Sequence, residues 1–188
     1  MASEPVILSE RLVLHHIDSN DLITLFEDPT NDSIYSEKPY ANPYGVLVKE
    51  SGPLRWRVPQ VKSNPELNKW FVRFIVLKNS NEIIGSTSFH SAPDPDGMIE
   101  IGLGIDENFR NQGFGTEAVL AMWKWVIDQP EVRTLRYTVS ASNLPSISII
   151  NKFGFTYVGQ QIDEEDGPEV IFELSADDYR VQRRKMNI

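Results

Sequence analysis

The chain has 188 residues, 40% of them hydrophobic and 24% charged, enough for one substantial core and short for two. It contains no cysteine, which excludes disulfides, thiolate metal sites and cysteine nucleophiles. Its 27 acidic residues outweigh 18 basic ones for a net charge of −9, which argues against a nucleic-acid partner. No apolar run approaches the ~18 residues of a membrane span. The opening MASEPVILSERL lacks the basic and apolar regions of a secretory signal, so a cytoplasmic address with no membrane partner is expected. His15 and His16 are adjacent and would face opposite sides of a strand, so with His90 they predict no metal cluster.

In chain order, Arg11–His15 alternates as a first strand, and Asp18–Asp28 reads as a helix capped by Ser19 or Asn20. Residues 30–69 read poorly. Pro39, Pro43, Pro53, Pro59 and Pro65 interrupt them, so short helical pieces and loops are expected. Phe71–Lys78 and Glu82–His90 flank Asn79-Ser80-Asn81 as a hairpin. Ala92–Gly97 is a turn before a third strand, Met98–Ile105. A helix then runs to about Asp128 with Val119, Met122, Trp123 and Val126 on one face, and Pro130 ends it. Arg133–Ser140 is a strand, and a helix follows to Lys152, with Asn143 as cap and Pro145 in its first turn. Phe155–Gln161 and Glu169–Leu174 form a hairpin across an acidic turn, and Ser175 with Asp178 caps a last short helix. Phe153, Phe155 and Tyr157 are expected in the core, and the basic side chains of Arg180, Arg183, Arg184 and Lys185 on a solvated helix face.

The order is mixed, an antiparallel meander followed by a β-α-β crossover, a helix and a hairpin. It predicts an α/β or α+β sheet with helices on both faces.

The segment FRNQGFGTEA, residues 109–118, contains G-x-G-x-x-A, a match to the dinucleotide fingerprint. That reading needs a strand entering the first glycine directly and an acid after the next strand. Here Asp106–Gln112 intervene, and the next strand ends in Ser140-Ala141-Ser142-Asn143, so a nicotinamide enzyme is disfavoured. The alternative is an anion site, because a helix N-terminus offers unsatisfied amides and the positive end of its dipole. Between Asp106 and Lys124 the only cation is Arg110. In MIEIGLGI, residues Met98, Glu100, Gly102 and Gly104 share one face, and the two glycines leave it bare for a packed helix or a ligand. A turn that merely starts a helix also remains open for Gly113 and Gly115.

Three stretches, RLVLHHIDSNDLITLFE, MIEIGLGIDENFRNQGFGTEAVLAMWKWVID and NLPSISIINKFGF, in that order, resemble the GNAT acyltransferase superfamily and its RimJ/RimL-like branch. Residues 30–69 carry no comparable match. The resemblance implies one GNAT-like domain over 1–188, a splayed, mostly antiparallel mixed sheet of about six to seven strands. Residues 30–69 would be an acceptor-side insertion and 176–188 a C-terminal tail.

It further implies acetyl-CoA as co-substrate without a metal. Pantetheine would lie along Leu103, Gly104 and Ile105, and pyrophosphate over the amides of Arg110, Asn111, Gln112, Gly113, Phe114, Gly115 and Thr116. Asn143 and Ser146 would lie near the thioester. The acceptor would be a primary amine, such as a ribosomal or other protein N-terminus or a small molecule, attacking directly in a ternary complex. A monomer or homodimer is expected.

Many members protonate the departing thiolate with a tyrosine where this chain has Ile150, so Ser146 is the candidate for that step. Two candidates for the base stand open. Glu100 is one, against a solvent-facing strand residue. The other is Glu165 within Asp163, Glu164, Glu165, Asp166 and Glu169, against a solvated hairpin tip, which the sequence favours. A catalytically silent acyl-CoA sensor or scaffold is the alternative to an enzyme.

Overall fold

The computed structural model describes residues 4–31, 34, 38–163 and 167–186. The strands β1 (Ile7–Leu8), β2 (Leu12–His16), β3 (Arg73–Leu77), β4 (Ile83–Phe89), β5 (Met98–Ile105), β6 (Thr134–Ser140), β7 (Thr156–Asp163) and β8 (Gly167–Ser175) form one sheet. Its order is β1-β2-β3-β4-β5-β6-β8-β7. The helices are α1 (Ser19–Glu27), α2 (Leu54–Ser63), α3 (Phe114–Val126), α4 (Leu144–Phe153) and α5 (Ala176–Met186). The expected class is observed, with eight strands rather than six or seven. The added strand is β1, two residues paired antiparallel with β2 and too short to show a period.

Contacts divide the chain into two compact units. The first comprises residues 1–92 and 102–121, the second residues 93–101 and 122–188. In the first, β2, β3 and β4 pair antiparallel, and every residue of β3 and β4 is buried. Side chains on both faces of these strands therefore leave water, about 1.5–3 kcal/mol for each large apolar one. The turn after β3 forms because Asn81 accepts the left-handed conformation, at φ 59°. Gly85 lets backbones close: a Cβ there would stand 2.2 Å from the Gly104 carbonyl oxygen.

α1 is capped by Asp18, whose carboxylate accepts from the amides of Asn20 and Asp21, rather than by Ser19 or Asn20. In 30–69 the chain makes α2 and a short 3₁₀ helix, Pro65–Trp70. Pro59 sits inside α2 instead of ending a segment, and the helix is held by the burial of Leu54, Val58 and Val61.

The second unit is built on aromatics. Trp123, fully buried, meets the rings of Tyr137, Phe155 and Tyr179 at 5.4, 5.0 and 5.7 Å. Phe153 stacks on Tyr179 at 5.0 Å. Tyr157 departs from expectation: it is exposed and lies edge-on to Phe172, because it stands on β7, the sheet's outer strand. β5 and β6 are the parallel pair that the crossover through α3 requires, in register from Met98↔Thr134 to Glu100↔Arg136. α5 runs 11 residues, longer than the expected short helix, and starts as expected, with Ser175 Oγ accepting from the amide of Asp178 at 3.0 Å. Its basic face is not wholly solvated, for Arg180 donates to the Ile127 carbonyl and pairs with Asp177.

Candidate active site

β5 sets out one face with Glu100, Gly102 and Gly104 in turn. The expected bare strip is only partly bare. A Cβ at Gly102 would stand 2.8 Å from Nε2 of His90, so the imidazole occupies the space the glycine leaves. At Gly104 a Cβ would meet nothing within 4 Å among the described residues, and Gly104 is exposed. Glu100 is half-buried, as are Leu103 and Ile105. Leu103 and Ile105 point the other way, toward Gly115 at the start of α3, whose Cβ would lie 3.4 and 3.6 Å from them.

Between β5 and α3 the loop turns out to solvent. Arg110, Asn111, Gln112 and Gly113 are all exposed. Asn111 and Gly113 have φ of 60° and 82°, left-handed values that asparagine and glycine tolerate best. Phe114 anchors the loop, buried and edge-on to Phe109 at 6.3 Å, while Thr116 is half-buried in the first turn of α3. Amides in such a first turn have no intrahelical acceptor, so the arrangement suits an anion. Tyr44, from the segment that read poorly, packs edge-on against Phe109 at 5.0 Å.

The single-cation expectation is corrected here. Arg110 turns back and donates Nε to the Ile105 carbonyl at 3.0 Å. A second guanidinium reaches the loop from the start of the chain. Arg11 donates Nη1 to the Gln112 carbonyl at 3.1 Å, lies 4.3 Å above the Phe114 ring, and places Nη2 3.3 Å from where a Gly113 Cβ would be. Glu117 on α3 holds it, accepting from Arg11 Nε, the Arg11 amide and Ser9 Oγ, each at 2.7 Å. Burial pushes the Glu117 carboxyl up, but these donors outweigh it and hold it below the usual carboxylate range. Sequence reasoning missed Arg11 because its partners are about a hundred residues away.

In the second unit Asn143 caps α4 as expected, its side chain accepting from the Ser146 amide at 3.2 Å, with Pro145 behind it. Asn143 is exposed and Ser146 buried. The Ser146 hydroxyl lies 2.8 Å from the Tyr137 hydroxyl of β6. Burial raises the Tyr137 phenol above its ordinary range, partly offset by the hydrogen bond to Ser146. Ile150 is fully buried and offers no proton. Tyr137 is a second residue missed, since its contact with Ser146 follows from the crossover and not from local spacing.

Glu165, with Glu164 and Asp166, lies outside the described residues. Of the same cluster, Glu169 accepts from Gln161 Nε2 at 3.0 Å on the exposed β7–β8 hairpin, and Asp163 ends β7. Among the described residues no group of three or more His, Asp or Glu side chains could hold a metal ion. No described helix is long and apolar enough to cross a membrane.

Comparison with known proteins bears on this arrangement. The family described as Acetyltransferase (GNAT) domain matches residues 11–156. An uncharacterized N-acetyltransferase, YjdG, from Bacillus subtilis (strain 168) is 34% identical over 96 residues, 50% of this chain and 56% of its own length. The chain therefore spans little more than half of that relative. A second, p20 from Bacillus licheniformis, is 23% identical over 160 residues, 84% of this chain and 85% of the relative. Among solved structures, a ribosomal-protein-S5-alanine acetyltransferase from Vibrio fischeri superposes with a TM-score of 0.64 at 17% identity, over 94% of this chain and 99% of that one. RimL, a ribosomal-protein α-N-acetyltransferase in complex with coenzyme A, gives 0.61 at 16% identity, over 93% and 99%. At such identities the structural likeness is one of fold.

Proposed function

The chain belongs to the GNAT acetyltransferase family, and from that premise we propose that it moves an acetyl group from acetyl-CoA to a primary amine. The observation that carries this reading is the exposed loop at Arg110–Gly113, left-handed at Asn111 and Gly113, which leads into α3 from a strand left open at Gly104. Many amide contacts suit a flexible diphosphate better than one strong cation does. In this reading Leu103, Gly104 and Ile105 take the pantetheine. The amides of Arg110, Asn111, Gln112, Gly113, Phe114, Gly115 and Thr116 take the pyrophosphate, and Arg11 adds charge beside them. Asn143 stands by the thioester.

The acceptor attacks as a free amine. An ammonium group must therefore lose a proton before its nitrogen bonds the thioester carbon. The oxyanion that forms needs a donor, assigned to a backbone amide near Leu103. As the C–S bond breaks, Ser146 passes a proton to the thiolate, the role left vacant at Ile150. Glu100 and Glu165 remain carboxylate candidates for the base. Protein N-termini, as the names of the ribosomal-protein acetyltransferases of like fold suggest, and small-molecule amines are the acceptor classes. Work in the cytoplasm, as a monomer or homodimer, belongs to the same reading.

The test is thiol release from acetyl-CoA across a panel of peptides with free N-termini, polyamines, amino acids and aminoglycosides. Amine-dependent release with a matching acetylated product is expected. Acetyl-CoA binding with no release from any of them would instead make the chain a silent sensor or scaffold.

A further inference from the structure

We propose that His90 is the base that takes the proton from the acceptor ammonium. The inference rests on the acetyltransferase reading and assigns a step that reading leaves between two carboxylates.

The three histidines differ in burial. His16 is buried, with Nδ1 accepting from the Glu4 amide at 3.3 Å and Nε2 donating to the Asn68 carbonyl at 2.8 Å. His15 is half-buried, edge-on to Tyr40 at 5.2 Å, with Nδ1 3.4 Å from the Tyr40 hydroxyl. His90 is the exposed one, one residue past the end of β4.

Its imidazole leans over β5 with Nε2 foremost. From the Cβ position of Gly102, Nε2 is at 2.8 Å, Cδ2 at 3.5 Å and Cε1 at 4.0 Å. No side chain could share that space, so glycine at 102 is a condition for the imidazole to stand there. Two residues on, Gly104 has the same face open. At about 3.3 Å of rise per residue, the imidazole lies roughly 7 Å along the strand from Gly104. A thioester beside Leu103 falls within that interval. One glycine thus admits the donor and the other seats a proton acceptor at its reactive end.

The step balances. Nε2 accepts one proton from R–NH3+, and the lone pair so exposed forms the C–N bond. The C–S bond then breaks, and the second nitrogen proton is replaced on sulfur through Ser146. The imidazolium returns its proton to water. The products are amide, thiol and one released proton.

The experiment uses the whole chain, acetyl-CoA, and the amine most active in the panel. His90→Gln is expected to lower kcat by about 100-fold or more while the affinity for acetyl-CoA is retained. His90→Gly should regain turnover when imidazole is added. Gly102→Ala should also lose kcat with donor binding intact, because the new methyl displaces the ring. Unchanged kcat in His90→Gln would overturn the assignment and return the role to Glu100 or Glu165. So would loss of acetyl-CoA binding in step with kcat, or failure of imidazole to rescue His90→Gly. A wild type that binds acetyl-CoA and acetylates nothing defeats the transferase reading, and this assignment with it. An active wild type matched by an equally active His90→Gln defeats this assignment alone.

Discussion

The two compact units bury different chemistry. The first buries His16, Arg57, Asn68, Arg73, Ser86, Thr87 and Ser88 in its strands, α2 and the 3₁₀ helix. The second closes on Trp123, Tyr137, Phe153, Phe155 and Tyr179, and Ser146 is the buried polar residue it adds. Aromatic rings bring large area and edge-to-face contact, and only the hydroxyl and indole N–H groups among them seek hydrogen-bond partners. Buried polar groups cost free energy unless partnered, so a unit rich in them is held by specific geometry and is more sensitive to pH. The difference teaches where to look for chemistry: the first unit carries the loop, the open glycine and His90.

The largest test of this contrast is Trp123→Ala. It should destabilise the chain by about 3–5 kcal/mol, measured by urea unfolding, with a loss that hardly changes between pH 7.5 and 5. A loss below about 1 kcal/mol would show that the aromatic cluster is not the second unit's core.

Acidification should strike the first unit next. Burial pushes the His16 imidazole down from 6.5 to about 4, opposed by its bond to the Asn68 carbonyl. The folded state therefore binds a proton less readily than the unfolded chain. Stability from the neutral ring is full above pH 6.5 and falls as pH drops toward about 4. At about 1.4 kcal/mol per pH unit the loss reaches roughly 3 kcal/mol. The His15 imidazole, lowered by burial and by Lys38, adds in the same direction. Urea unfolding of the wild type and His16→Gln at several pH values checks it: the variant should show a shallower slope.

A smaller effect is expected at Glu117→Ala, which removes the acceptor shared by Ser9 and Arg11. The cost should be about 1–2 kcal/mol in stability, with weaker acetyl-CoA binding as Arg11 leaves the loop. Unaltered affinity would make Arg11 a strut and not a donor contact. The smallest change in stability belongs to Ser146→Ala, about 1 kcal/mol from leaving the Tyr137 hydroxyl unpaired. Its signature is kinetic: kcat should fall more than affinity for acetyl-CoA, and the reverse would make Ser146 a binding residue.

What the sequence disclosed divides along physical lines. Signals carried within a few residues were legible. The cap at Asn143, the pair Ser175 and Asp178, the turn at Asn79–Asn81 and the β5-loop-α3 motif all depend on neighbours in the chain. α2 was not, because Pro59 reads as a stop and a buried Arg57 blurs its apolar face. Asp18 is not singled out as the cap by type, since Ser19 and Asn20 beside it are as suitable. Tertiary encounters left no local trace. Arg11 with Glu117, Tyr137 with Ser146, and His90 over Gly102 each needed the sheet order to bring them together. Gly102 and Gly104 look alike in MIEIGLGI, and only the fold distinguishes the covered one from the open one.

The central claim is that the exposed loop and the open face at Gly104 hold acetyl-CoA. Calorimetric titration of acetyl-CoA into the wild type and Gly104→Trp tests it most directly. A Cβ at Gly104 meets nothing within 4 Å among the described residues, so the apo melting temperature is expected to be kept. Saturable one-site binding is expected for the wild type, weakened by about 100-fold or more in the variant. No binding to the wild type at millimolar acetyl-CoA, or equal binding to both proteins, would contradict it.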